Sequence, residues 1–563
     1  MRKPLIVWVL PLLLLLLGSL QNEPGRPTRE GALFTEITDQ VRLDFIHDPG
    51  KDGTYFMPEI MGGGGAFLDY DNDGDLDIYL IQAGPHTEGK DPKPNRLFRQ
   101  EADGTFRDVS AASGLGDTGY GMGVAVGDID NDGYVDVYVS NYGPDVLYRN
   151  DGRGGFENVS ASGGISDDAW SASAVFCDYD NDGYLDLYVA HYLSYDPSKQ
   201  CRHWDGSIDY CGPGGAAETD VLYQNNGDGT FTDVSLRAGI HEVSAPGLGV
   251  YCQDLTGDGR LDFYVANDGK ANQLWVNQGN GRFIDEAYML GVALNSFGAA
   301  EAGMGIAAGD VDGDSEIDLF LTHLNGETNT LYLNEGGSGF RDATAQMRLA
   351  FAGLQMTGFG TAFLDYDHDG DLDIAVANGR VKRQPLQAGS RGDPYWRPYA
   401  EPNLLLRNTL DSGEAKFEAV GPAAGEFSSL IEVSRGLALG DVDNDGDLDL
   451  LVTHLAGPAR LFRNDAPKRG RWLKVRAFDP ANHRDAHGAV VTIVIDDRRI
   501  TRPANPGFSY LSSNAPGAHF GLPSSGTIGG IVIRWPDGST ESFAGVAPDQ
   551  TVVLRKGEGE TIR

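Results

Sequence analysis

Asp69-Tyr-Asp-Asn-Asp-Gly-Asp-Leu-Asp77 decides the fold, because the chain writes it again and again. The pattern returns as DIDNDGYVD (Asp128–Asp136), DYDNDGYLD (Asp178–Asp186), DLTGDGRLD (Asp254–Asp262), DVDGDSEID (Asp310–Asp318), DYDHDGDLD (Asp365–Asp373) and DVDNDGDLD (Asp441–Asp449). Positions 1, 3, 5 and 9 hold carboxylates, and position 6 holds Gly to turn the chain sharply. The candidate metal ligands are Asp69, Asp71, Asp73 and Asp77; Asp128, Asp130, Asp132 and Asp136; Asp178, Asp180, Asp182 and Asp186. The remaining loops supply Asp254, Thr256, Asp258 and Asp262; Asp310, Asp312, Asp314 and Asp318; Asp365, Asp367, Asp369 and Asp373; Asp441, Asp443, Asp445 and Asp449. Hard oxygens converging in an irregular shell suit Ca²⁺ better than Mg²⁺, which demands an octahedron and keeps its water. Up to seven calcium ions are therefore expected. Thr256 replaces a carboxylate and Ser315 replaces the Gly, so the fourth and fifth sites should be weaker.

Two simpler readings fail. An EF-hand needs Glu at loop position 12, where Leu80, Val139 and Val189 stand here. Acidic Asn/Asp-Gly stretches also make ordinary hairpin turns, but turns alone do not require an Asp at position 9 in every copy.

Of the 82 acidic residues behind the formal charge of −38, 27 are aspartates at the loops' ligand positions, so much of the acidity reads as metal-binding capacity and not as a disordered acidic tail. Nothing basic enough for nucleic acid is present. Met1-Arg2-Lys3 followed by the apolar run Leu5–Leu17 resembles a secretory signal peptide over 1–20, with an uncleaved anchor as the alternative and a linker over 21–31. An exported location, whether secreted, periplasmic or at the cell surface, suits calcium. Cys201 and Cys211 could staple a Gly/Asp-rich insertion; Cys177 and Cys252, on apolar strands, read as buried free thiols.

Small residues stand seven and five places before each loop: Gly62/Gly64, Gly121/Gly123, Ser171/Ser173, Gly247/Gly249, Gly303/Gly305, Gly358/Gly360 and Ser434/Gly436. A period of two puts both on one strand face, as the crowded innermost strands of a radial array need. An apolar strand follows each loop, then a hairpin such as Leu147-Tyr-Arg-Asn-Asp-Gly-Arg-Gly-Gly-Phe156. The pattern predicts an all-β chain: a seven-bladed β-propeller over 32–465, a small β-rich domain over 466–556 and a tail. The last repeat lacks its fourth strand, and the missing Phe-x-x-x-Thr element stands at Phe34–Thr38, placed to close the ring.

The repeats resemble FG-GAP/VCBS repeats, the calcium-loop blades of integrin α-subunit propellers. Arg471-Trp-Leu-Lys-Val-Arg476, Asn482–Gly488, Tyr510-Leu-Ser, His519-Phe-Gly-Leu522 and Arg534-Trp-Pro-Asp-Gly538 resemble, in order, the ASPIC/UnbV domain. Propeller plus tail is the architecture of the cartilage acidic protein family and its bacterial relatives. The resemblance implies calcium binding and an extracellular role, with no agreed reaction.

The residue five past each loop ends the second strand on the opposite face: Gln82, Asn141, His191, Asn267, His323, Asn378 and His454. They can be strand-end caps or the floor of a binding mouth. Two insertions, Tyr192–Thr219 and Gly379–Pro402, begin there and carry Trp204, Trp396 and Arg397. The three histidines also invite a transition-metal reading, though no two occupy adjacent blades. The leading expectation is a binding or adhesion module for an extracellular protein or glycan, with no catalytic residue assigned. The rival is an enzyme, such as a lyase or cyclase, using the mouth opposite the calcium loops.

Overall fold

The computed structural model describes residues 31–84, 92–203, 205–410, 416–496 and 498–562. The signal-peptide segment, nearly all of the linker and Trp204 lie outside the described residues.

Two kinds of turn shape each repeat. The acidic loop reverses the chain between the first and second strands, and an Asn/Asp/Gly turn does so between the third and fourth. The first repeat orders Gly65–Leu68, Asp77–Leu80, Arg96–Gln100 and Phe106–Asp108 into an antiparallel sheet. Six more sheets keep that order. Second strands such as Asp136–Asn141 are buried along their whole length, because a neighbouring sheet covers each face.

The sheets close into a ring. The first strands touch in sequence, Gly65–Leu68 against Gly121–Gly127, then Ser171–Cys177, Gly247–Gln253, Ile306–Gly309, Gly358–Leu364 and Ser434–Gly440, which returns to Gly65–Leu68. A second, polar cycle runs outside it. An amide at the end of each third strand donates to a carbonyl in the preceding blade's loop: Asn150 to Tyr70, Asn225 to Ile129, Asn277 to Tyr179, Asn334 to Leu255, Asn408 to Val311, Asn464 to Tyr366 and Gln100 to Val442. The last sheet takes its fourth strand from the N-terminal side, Phe34–Glu36, in register Phe34↔Asn464 and Glu36↔Phe462. Leu461 extends that pairing by donating its N–H to Thr38 Oγ1 at 2.9 Å.

The reading of Cys177 and Cys252 as free thiols is corrected: they form a disulfide, with Cα atoms 6.4 Å apart. They stand near the ends of the innermost strands of blades three and four, so the packing of one blade on the next brings them together. Cys201 and Cys211 also pair, across the short ladder of Cys201–Arg202 with Ile208–Asp209.

The C-terminal domain packs one sheet around Arg471–Asp479 against a second built on Ala489–Ile495, with Val475, Ile493, Phe520, Ile531 and Trp535 between them. It runs past the expected end at 556, because Glu560–Thr561 pairs with Thr540–Ala544. Between Arg498–Ala504 and Ala518–Leu522 the chain enters the bore of the propeller. There Ser509 bridges Ile306 and Ser513 bridges Ala66, while Leu511 N–H donates to Ser173 Oγ at 3.0 Å. Tyr510 reaches the far end and donates to Met61 O at 3.0 Å. The hub and the neighbouring inner strands together explain the small residues of the first strands: a Cβ on Gly305 would lie 2.1 Å from Phe359 O of the next blade. A Cβ on Gly64 would lie 1.9 Å from Leu511 O, and one on Gly436 would lie 2.5 Å from Ser512 Oγ.

Candidate metal loops and the face they share

The loop conformation follows from its sequence. Position 4 takes a left-handed backbone, with φ 55° at Asn72, 60° at Asn131 and 57° at His368; Asn tolerates that region better than most side chains. Position 6 is left-handed too, from Gly74 at 94° to Ser315 at 80°. These turns aim backbone donors at the carboxylates. Asp69 accepts the N–H groups of Asp73 and Gly74, both at 3.1 Å. Asp77 accepts Tyr70 N–H at 3.1 Å on one oxygen and Gln100 N–H at 2.9 Å on the other. The position-9 aspartate thus binds its own loop to the third strand, which is why every copy keeps it.

In loops one, two, three, five and six, one oxygen from each of positions 1, 3 and 9 lies within 4.8 Å of the others. These clusters could hold metal ions. Position 5 faces the rim, where its carboxylate accepts the N–H of position 7, as Asp75 N–H to Asp73 at 3.1 Å. The fit to a cation shows in what is left over. Oδ1 atoms of Asp71, Asp130, Asp178, Asp367 and Asp441 are buried with no hydrogen-bond partner. Burial, followed by the charge of neighbouring aspartates, raises several of these carboxyls: Asp128 and Asp178 to about 6, Asp441 to about 7 and Asp365 to about 8. Buried anions this crowded need compensating positive charge.

The C-terminal domain sits on this face and brings cations to it. Arg484 donates to Asn131 Oδ1 and Gly183 O, both at 3.1 Å, and stands 3.5 Å from Asp178. Arg498 pairs with Asp371 at 2.7 Å, and Arg502, fully enclosed, donates to Gly370 O at 3.0 Å. Trp472 covers loop seven so closely that Gly446 has no room for a Cβ.

The opposite face differs from the mouth expected of it. The polar ring consists of buried strand-end caps. His191 Nδ1 lies 2.7 Å from Thr219 O, His454 Nδ1 2.9 Å from Pro458 O, and Asn378 donates to Pro402 O at 2.9 Å. His323 is likewise buried, its backbone N–H donating to Asn329 Oδ1 at 3.0 Å. Two of the histidines are engaged by carboxylates of the rim: His191 Nε2 is 2.7 Å from Asp167, and His454 Nε2 3.6 Å from Glu432. Trp396 must be corrected as a ligand-face residue. It is 2% exposed and packs with Tyr210, Tyr399, Trp170, Phe56 and the hub's Tyr510 in one apolar cluster that fills the mouth. Arg397 remains half-exposed, its Nε donating to Gly392 O at 3.1 Å.

Sequence reasoning passed over the third-strand amides that lock blade to blade. Their signal was present: Asn150, Asn277, Asn334 and Asn464 follow the position-9 Asp by nearly constant intervals, obscured in blades three and six by the insertions. No local pattern marked 505–515 as a hub.

This closed ring of acidic-loop blades, capped by a β-rich domain, defines a class. FG-GAP-like repeat models match residues 69–139, 128–189, 205–265, 254–321 and 310–376, and the ASPIC and UnbV model matches 479–561. The chain belongs to the FG-GAP-like repeat family and carries an ASPIC/UnbV domain at its C-terminal end. It is similar to cartilage acidic protein 1 of Mus musculus, 26% identical over 404 residues covering 61% of this chain and 60% of that protein. The Homo sapiens protein is 27% identical over 390 residues, 58% of this chain and 57% of that one. The chain thus spans about three-fifths of the length of the curated relatives it matches. Among solved structures it overlaps the BP39L lectin of Burkholderia pseudomallei (TM-score 0.43, 10% identity, 73% of this chain and 98% of that one). It also overlaps an Agrocybe aegerita lectin described as recognising non-reducing terminal N-acetylglucosamine (TM-score 0.38, 17% identity, 70% and 86%). Among the described residues no helix is long and apolar enough to cross a membrane.

Proposed function

We propose that this is an exported, calcium-stabilised propeller that binds a protein or glycan partner outside the cell. The observation that carries the calcium half is the set of buried carboxylate oxygens left without partners in the loops. Aspartates at positions 1, 3 and 9 would hold the ion, with position 5 at the rim; the bound ion would supply structural charge compensation and no chemistry. The C-terminal domain covers the loop face, so partner contact falls to the rim and to the insertion-bearing face. That face keeps half-exposed Tyr55, Tyr195, Tyr395 and Arg397, with Lys51 Nζ 4.2 Å from the Tyr395 ring centre. Half-exposed aromatics beside cations suit sugars and acidic partners. The aromatic filling of the mouth favours binding over a catalytic pocket there.

Two measurements test the reading. Elemental analysis after dialysis against calcium should return several ions per chain, and chelator should lower Tm by many degrees, with Ca²⁺ restoring it better than Mg²⁺. A melting curve indifferent to chelator would sink structural calcium. A screen against glycans and surface proteins, repeated with Arg397→Ala, should show binding that this variant weakens without moving Tm.

A further inference from the structure

Loop four differs from its six counterparts in what already sits on it. Thr256 occupies position 3, leaving Asp254, Asp258 and Asp262 as its carboxylates. Two guanidinium groups bond these directly, Arg534 Nη1 to Asp254 Oδ2 and Arg260 Nη2 to Asp258 Oδ2. Arg260 belongs to the loop. Arg534 reaches in from the C-terminal domain, at the end of the strand Ile528–Arg534. The turn that follows it closes the loop from above: a Cβ on Gly538 would lie 3.2 Å from Gly259 Cα. Gln253, on the strand leading into the loop, donates to Gly488 O of the same domain at 2.9 Å.

Arginines approach other loops as well. Arg99 lies 2.8 Å from Asp71 and 3.0 Å from Asp73, and Arg469 pairs with Asp369. Those loops keep all four carboxylates, and their metal-gathering oxygens stay together. In loop four, three carboxylates face two bonded guanidiniums, which leaves a single net negative charge for a dication to meet. The buried Thr256 hydroxyl has no partner, but one neutral oxygen does not replace the missing charge.

We propose that arginine, not metal, closes loop four: the chain takes six calcium ions, and Arg534 is the built-in cation of the fourth place. This rests on the calcium reading of the other loops. It makes blade four a place where a cation of the C-terminal domain, and not an ion, joins that domain to the loop's carboxylates.

Calcium per chain, counted by elemental analysis on the full-length protein, tests this. The expected pattern is six ions in the parent, six in Asp254→Asn and five in Asp310→Asn. Seven in the parent, or an ion lost with Asp254→Asn, overturns the arginine assignment and leaves the calcium reading standing. None in the parent overturns both. Arg534→Gln should lower Tm by a similar amount with and without chelator; a loss that vanishes in chelator means Arg534 acts through a metal, and the assignment fails. The parent count needs no variant, so a poorly folding mutant does not blunt the test.

Discussion

Ser315 holds a φ of 80° at the loop position where its six counterparts are glycine. A side chain in that region costs about 1–2 kcal/mol, and nothing in the loop needs the Ser315 hydroxyl. Ser315→Gly should therefore stabilise the chain by ~1 kcal/mol in urea melts. The opposite change, Gly370→Ala, should destabilise, since Gly370 has a φ of 93° and lies against the Arg498 guanidinium. A second residue-scale effect belongs to His191. Burial alone would lower its pKa, but the bond and charge of Asp167 outweigh burial and hold it at about 9. A histidine raised on folding stabilises fully below its ordinary pKa near 6.5 and loses that contribution as pH rises through about 9. The shift is on the order of 3 kcal/mol. The stability gap between the parent and His191→Gln should thus narrow from pH 6.5 to pH 9. A gap constant with pH would mean that His191 is neutral in the fold. The role of this histidine was legible only as an alternative: strand-end position marked it polar, whereas Asp167 reaches it from a connection in the preceding blade.

At the scale of the element, the recurrent features read cleanly and the insertions did not. The acidic loops and the paired small residues are repeated signals, so each copy corrects the noise of another, and the one missing fourth strand stands out against the other six. Trp396 lies in an insertion that occurs once, where exposure cannot be inferred from composition; tertiary packing with Tyr210 and Tyr399 buried it. The third-strand amides show what a shared element is worth. Asn277 donates to Tyr179 O and Leu261 O and accepts Gly279 N–H. Asn277→Ala strands those buried groups and should cost ~1–3 kcal/mol in chemical denaturation. The Cys177–Cys252 bridge spans the same seam between blades three and four, 75 residues apart in sequence. Replacing both by Ala should cost ~2–4 kcal/mol, and reducing agent should lower the Tm of the parent more than that of the variant, which keeps only Cys201–Cys211 to lose. Deleting the chain through Thr38 should expose the third strand of the last blade as a free edge and promote aggregation, visible as light scattering at temperatures where the parent stays clear.

For the whole molecule, the ring was legible and its axle was not. Seven loops announce seven blades, but the segment 505–515 has no periodicity of its own; its fit is written in the glycines of other strands. Its backbone is strained, with φ 90° at Ser509 and 55° at Leu511, a conformation that persists only where the surroundings over-determine it. Tyr510→Ala should hollow the bore and lower Tm with calcium present as well as absent. The chain order of ring and axle also sets a timetable for biogenesis. Phe34–Glu36 leaves a ribosome or export channel first, yet the contact of Thr38 with Leu461 spans 423 residues. Ring closure must wait for nearly the whole propeller, and the axle arrives later still. Both ends of that segment return to the loop face, so it enters as a fold-back and threads nothing. A chain clipped between 465 and 505 would carry every blade and yet enclose a wet bore. Such a clipped chain should be cut by protease faster than the full chain, because the inner strands lose the contacts of Leu511 and Tyr510.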